Sequence, residues 1–188
     1  MSLETTAPQS SRSPAAPTRA ISATVPDWSR ERPQRFWDPG PRLLKSIRDR
    51  QSILSSAGKR PGPFRALAAK LCTLRHRFWS VVSGADIPLT SRIAGGLALP
   101  HPSGIVIHPD AVVGPNCCFF QQVTLGVGGP IPGAPIVGGQ VDIGAGAKVL
   151  GGVRIGDYAR IGANAVVLSD VPPGATAVGV PARMIPTP

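Results

Sequence analysis

Ile143, Val149, Ile155, Ile161 and Val167 stand six residues apart without interruption, and Val137 extends the row backwards. Four residues after each comes a small or β-branched residue: Val141, Ala147, Val153, Ala159, Ala165 and Val171. A second row runs through Ile87, Ile93 and Leu99 and resumes at Ile107, Val113, Phe119 and Leu125. A period of six fits neither the 3.6-residue turn of a helix nor the two-residue alternation of a simple strand. It fits a chain that turns a corner every six residues and points one branched aliphatic inward from each side. Three sides make a coil of 18 residues, a period also visible in Gly144/Gly162 and Leu150/Leu168. Stacked coils bury a continuous aliphatic column, as in repeat solenoids.

The composition agrees with a narrow interior. Aromatic residues make up only 5% of the 188 residues, and Gly and Pro number 22 each. Glycine suits corners that need positive φ. Two compositions are joined near Asp86. Residues 1–85 hold 15 Lys+Arg against 5 Asp+Glu, all three tryptophans and only 4 glycines, whereas residues 86–188 are balanced at 5 and 5 and hold the other 18 glycines. No apolar run of about 18 residues is present, so no membrane span is expected, and the N-terminus lacks the apolar stretch of a secretory signal. Cys72, Cys117 and Cys118 have no metal-type spacing, and an adjacent pair is a poor structural disulfide; reduced thiols and a cytoplasmic location are the expectation.

Residues 1–40, rich in Ser, Pro, Ala and Arg, read as a disordered basic tail. Residues 41–85 read as a short helical region. A first helix starts at Pro41, uses Leu43, Leu44, Ile47, Ile53 and Leu54, and stops by Gly58. A second starts near Pro63, carries Phe64, Leu67, Leu71, Leu74, Phe78, Val81 and Val82 at helical spacing, and ends at Gly84. The basic charge of this segment would suit nucleic acid or an anionic membrane. No nucleic-acid motif accompanies it, so nucleic acid is not expected, and the cations read as the solvated face of a packed helix.

The strings DIPLTSRIAGGLALPHPSGIVIHPDAVVG and FFQQVTLG, and later VDIGAGAKVLGGVRIG, ARIGANAVVL, VPPGATA and GVPAR, resemble the coils of serine O-acetyltransferases among the hexapeptide-repeat acyltransferases. The resemblance covers about the last 100 residues, 86–188. It implies a mainly β fold, a left-handed parallel β-helix preceded by the short helical region and the tail. Spacing alone does not give that hand, since parallel crossovers are usually right-handed. It also implies acetyl-CoA as acyl donor, no metal, a homotrimer and a role in cysteine biosynthesis. By the same resemblance His101 is the general base and Asp86, 15 residues earlier, its orienting partner. An imidazole near its ordinary pKa can take a hydroxyl proton during attack on a thioester, and a carboxylate on the other ring nitrogen fixes the tautomer. Read without the motif, His101 is a polar corner residue between two prolines, and Asp86 a cap between helix and coil. CoA is implied near Gly126, Ala145, Arg160 and Ala163, with Lys148 and Arg183 as lesser candidates. His108 reads as structural.

The chain departs from that family where the acceptor is held. An Asp-Arg-His-Pro loop is replaced by GVGGPIPGAPIVG, with Gly133 and Ala134 at the arginine and histidine positions, and Pro100 replaces the aspartate before the catalytic histidine. Charged hydrogen bonds are worth roughly 1.5–3 kcal/mol each. A sugar, polysaccharide intermediate or other small alcohol is therefore an alternative acceptor to L-serine. Two other readings stand beside acetyl transfer: a carbonic-anhydrase-like metal site, for which His76 on a helix and His101 and His108 seven apart leave the third ligand missing, and a non-enzymatic β-helix assembly protein.

Overall fold

The computed structural model describes residues 21–55 and 62–185. The six-residue rows fold into a parallel β-helix with three faces, visited in strict rotation. Face A holds β2 (Val106–Ile107), β5 (Thr124–Gly126), β8 (Lys148–Leu150) and β11 (Val166–Val167). Face B holds β1 (Arg92–Ile93), β3 (Val112–Val113), β6 (Ile136–Val137) and β9 (Arg154–Ile155). Face C holds β4 (Cys118–Phe119), β7 (Asp142–Ile143), β10 (Arg160–Ile161) and β12 (Thr176–Val178). Isolated bridges from Asp86 to Val106 and from Ala98 to Cys118 extend faces A and C by one level.

Each rung contributes one inward side chain, and the rows predicted to point inward do so. Val113, Phe119, Leu125, Ile143, Val149, Val153, Ile155, Ile161 and Val167 are all buried. Phe119 is the one aromatic in this column and is completely enclosed. Parallel partners stand 18 residues apart in an undisturbed coil, as in Val106↔Thr124 and Lys148↔Val166. The spacing is 20 across Arg92↔Val112 and 24 across Thr124↔Lys148. Two residues are thus inserted at the corner between Ala98 and Val106, and six between β5 and β6. The register closes again beyond both, so insertions are absorbed at corners and the column is left intact.

The corners explain the glycine load only in part. From face B to face C the left-handed positions are Gly96, Asn116, Gln140, Tyr158 and Gly174; from face C to face A they are Gly104, Gln122, Gly146 and Asn164. Five of these nine residues are not glycine. Asn and Asp tolerate this region, whereas Gln and Tyr there are uncommon. The ladder of backbone bonds between coils holds them, for example Gln122 N–H to Ser103 O at 2.9 Å and Tyr158 N–H to Gly139 O at 2.9 Å.

Both helices form. α1 spans Pro39–Ser55 and α2 spans Pro63–Ser83, with Gly84 (φ 66°) as the left-handed stop. α1 closes the open end of the column with Leu43, Leu44 and Ile47, all buried. A side chain at Gly40 would sit 2.7 Å from the Leu99 carbonyl oxygen, which is how closely α1 approaches the first coil. At the far end the chain crosses face A through Ala182 N–H to Val166 O (2.8 Å) and adds an antiparallel strand, β13 (Arg183–Ile185), to face C.

Two expectations differ from what is observed. The tail assigned to residues 1–40 is folded from residue 21 onward; residues 1–20 lie outside the described part. Residues 21–38 form a strap along the corner between faces B and C. Asn116, fully buried, accepts from Asp27 N–H (2.7 Å) and donates to Ser22 O (2.7 Å) and Val25 O (2.8 Å). The strap passes so close that a Cβ at Gly139 would lie 1.8 Å from the Ala23 carbonyl oxygen. The second difference concerns α2. Its apolar row does not pack on α1: Phe64, Leu67, Leu71, Leu74, Phe78 and Val81 are 53–87% exposed. The buried face is instead His76, Trp79 and Ser83, with the Ser46 hydroxyl of α1 lying 3.0 Å from His76 Nδ1.

Phe119→Ala should cost about 3–5 kcal/mol, the range for removing a buried aromatic. Phe120, its half-exposed neighbour on the outer surface, should cost far less. Denaturant midpoints of the two variants check this.

Candidate active site

The site candidates gather along one edge of the prism. His101 lies on the two-residue insertion between Ala98 of face C and Val106 of face A. Ala145 and Ala163 occupy the same corner in later coils, joined by Asn164 N–H to Ala145 O at 2.8 Å. Arg160 is exposed on face C, and Gly126 ends β5 on face A. With coils about 4.8 Å apart, His101 and Ala145 are separated by two levels on this edge. Small residues at 145 and 163 leave the outer edge open, and Arg160 offers a cation beside it, a donor set suited to a phosphate-bearing chain.

Asp86 starts face A one level before Val106. Its backbone is fixed by Asp86 N–H to Ile105 O (2.7 Å) and Ile107 N–H to Asp86 O (3.0 Å). The carboxylate is exposed, as is the His101 imidazole. Among the described residues no hydrogen bond joins these two side chains within one chain. Asp86 instead acts electrostatically on His76. Burial holds the His76 imidazole below its ordinary pKa, opposed by its hydrogen bond to the Ile87 backbone and by the Asp86 charge.

The other candidates separate clearly. His108 sits at a different corner, between faces A and B, where its Nδ1 accepts from Asp110 N–H (3.2 Å) and its carbonyl from Ala111 N–H (3.0 Å). That is a turn-forming role. His76 is buried between the helices. Among the described residues no group of three or more His, Cys, Asp or Glu could hold a metal ion. Lys148 Nζ donates to Gln122 O (2.5 Å) across neighbouring coils, and Arg183 donates to its neighbour Ala182 O (3.3 Å). The cysteines are free. Cys117 points inward, where burial pushes its thiol up to about 12.

The strap adds what the sequence reading missed. A cleft of about 640 Å³ opens against Pro100, the residue before His101, and its other wall is Arg30, Gln34, Arg35, Trp37 and Asp38. Glu31 anchors that wall. Its buried carboxylate accepts from Gly96 N–H (2.9 Å) and Leu97 N–H (3.2 Å) and pairs with Arg48 through Nε (3.0 Å) and Nη2 (2.8 Å). Arg48 also donates to Ile93 O (2.6 Å) and Ala94 O (2.8 Å). The loop between β5 and β6 brings no polar side chain: residues 127–135 are Val, Gly, Pro, Ile and Ala only. It folds back on the next coil, with Gly152 N–H donating to Ile131 O (2.8 Å).

Residues 134–169 match the family described as bacterial transferase hexapeptide (six repeats), so this stretch carries the repeats of hexapeptide transferases. Curated relatives and solved structures point further, to serine acetyltransferases. A probable serine acetyltransferase 1 of Oryza sativa subsp. japonica is 48% identical over 106 residues, 55% of this chain and 35% of the relative. The serine acetyltransferase of Mycobacterium tuberculosis is 46% identical over 120 residues, 63% of this chain and 52% of that one. A solved serine acetyltransferase in complex with CoA superposes with a TM-score of 0.64 at 35% identity, covering 80% of this chain and 58% of the other. That from Vibrio cholerae O1 biovar El Tor N16961 gives 0.65 at 36%, covering 81% and 56%. The β-helix is left-handed, as the resemblance implied, and the structural likeness takes in residues ahead of Asp86. The chain spans from about a third to somewhat over half the length of the relatives it matches.

Glu31→Ala leaves the partly buried Arg48 without its carboxylate, a change that costs up to about 3–5 kcal/mol, the range for breaking a buried pair. The strap should then open, and trypsin should cut after Arg35 at least about tenfold faster than in the parent chain. Unchanged cleavage would show that the strap is held elsewhere.

Proposed function

We propose that the chain is an acetyl-CoA-dependent O-acetyltransferase of the serine acetyltransferase type, with His101 as general base. The observation that carries this is the shared edge: the candidate base and the small residues suited to a cofactor stand at one corner of successive coils. His101 accepts the proton of the acceptor hydroxyl as that oxygen bonds to the thioester carbonyl carbon. It returns the proton to sulfur when the carbon–sulfur bond breaks, so no metal is needed. Asp86, fixed by its backbone to the strand that follows His101, is assigned the orienting role. Arg160 would pair with a phosphate of CoA, and Gly126, Ala145 and Ala163 would allow the pantetheine to lie against the edge. The solved relative in complex with CoA supports the donor. A homotrimer, with each edge facing a neighbouring copy in the cytoplasm, completes the reading.

The acceptor reading favours a sugar or other neutral alcohol over free serine. A solved relative from Neisseria gonorrhoeae is in complex with serine, which keeps L-serine as the family's candidate. In this chain, however, Pro100, Gly133 and Ala134 supply no charge for a zwitterion, and the 127–135 loop is apolar throughout.

Thiol release from acetyl-CoA, measured with serine, homoserine and a panel of sugars, tests both statements. His101→Ala should lower turnover by about 10²–10⁴, His108→Ala much less, and Asp86→Asn should displace the pH profile. Serine should be a poor acceptor. A serine KM within about 1 μM–1 mM, the ordinary range for an enzyme's own substrate, would overturn the acceptor reading. Equal small losses in both histidine variants would overturn the base.

A further inference from the structure

On α2, six exposed apolar residues follow one another at intervals of three and four: Phe64, Leu67, Leu71, Leu74, Phe78 and Val81. At 1.5 Å per residue the stripe is about 25 Å long. Exposed apolar surface of this extent marks an interaction site in soluble proteins. Trp37, also exposed, continues it, its ring tilted 60° against Trp79 at 5.6 Å while Phe78 meets the same ring edge-on at 5.1 Å.

The charge beside the stripe selects what covers it. α2 carries Arg65, Lys70, Arg75 and Arg77 and no Asp or Glu. At 100° per residue Lys70 and Arg77 fall along one flank of the stripe and Arg75 along the other. Lys70 and Arg77 are exposed, and among the described residues neither makes an ion pair. Arg75 is held by Asp49 at 2.6 Å, and Asp49 also pairs with Lys45. The three-four spacing would permit a helix pair. A second copy of α2, however, would set Lys70 and Arg77 against each other or against Arg75, with no acidic residue on either helix to relieve the repulsion. An apolar stripe with aromatic residues and cationic flanks matches instead the interface of water and anionic lipid.

We infer that α2 docks this protein on an anionic membrane surface, with the Phe64–Val81 stripe among the acyl chains and Lys70 and Arg77 at the headgroups. The helix is not long and apolar enough to cross a membrane, so the association is peripheral. It is independent of the proposed chemistry.

Co-sedimentation of the full chain with vesicles tests this. Vesicles of phosphatidylcholine with phosphatidylglycerol should bind the protein, and raised salt should weaken the binding; phosphatidylcholine alone should bind it weakly. Lys70→Gln/Arg77→Gln should reduce binding about tenfold or more, the scale for removing two cations from an anionic surface. Leu67→Gln/Leu74→Gln, at positions already in solvent, should abolish it without lowering the melting temperature. Equal binding to both vesicle types, or to neither, overturns the inference. So does a fall in oligomer size in the leucine variant, since the stripe would then be covered by another copy of the chain.

Discussion

One branched aliphatic per side, stacked on its equivalent in the next coil, sets the diameter of this protein, and nearly everything else follows from that diameter. A triangular interior closed by Val, Ile, Leu and Ala has no room for side-chain rearrangement, so the column admits Phe119 and no other aromatic residue. Dense interiors transmit a change in volume rather than absorb it. Variation is therefore confined to the corners. The two-residue insertion that bears His101 and the six-residue insertion between β5 and β6 both leave the column in register. The candidate base and the apolar loop are thus placed where the repeat tolerates change.

The strap and the helices depend on the same constraint from outside. Because every inward position is taken, polar anchoring has to come from the corner backbone. Asn116 uses its left-handed corner geometry to present a side chain that both accepts from and donates to the strap. Glu31 reaches two corner amides, Gly96 and Leu97, and neutralises Arg48 at the same point. The strap is thus a polar attachment to an apolar rod. It supplies a wall beside Pro100 that the repeats cannot supply themselves.

The β-helix was readable from the sequence because its signal is local: Val137 to Val167 repeat at a fixed interval, and no partner elsewhere in the chain is needed to see it. His101 and Asp86 stood out as candidates only through the surrounding motif, since a lone histidine between prolines carries no chemistry by itself. The strap was invisible for the opposite reason. Ser22 and Val25 meet Asn116 across 94 and 91 residues, and the intervening composition looks like a tail. The α2 stripe was visible as a stripe, but amphipathicity tells that a helix has an apolar side and not what lies against it. Here His76, Trp79 and Ser83 made the packed face, and the longer row of Phe, Leu and Val was left in solvent.

Both ends of the stack are stopped. At the start, α1 lays Leu43, Leu44 and Ile47 across the mouth of the column, and at the finish residues 179–185 cross face A and turn back along face C. An open-ended stack of parallel strands would present a template on which the next molecule could continue the hydrogen-bond ladder, and such chains grow into fibres. A rod with two stoppers has a fixed number of rungs and no sticky tip. Through the β-helix, one copy could meet another only flank to flank, never tip to tip.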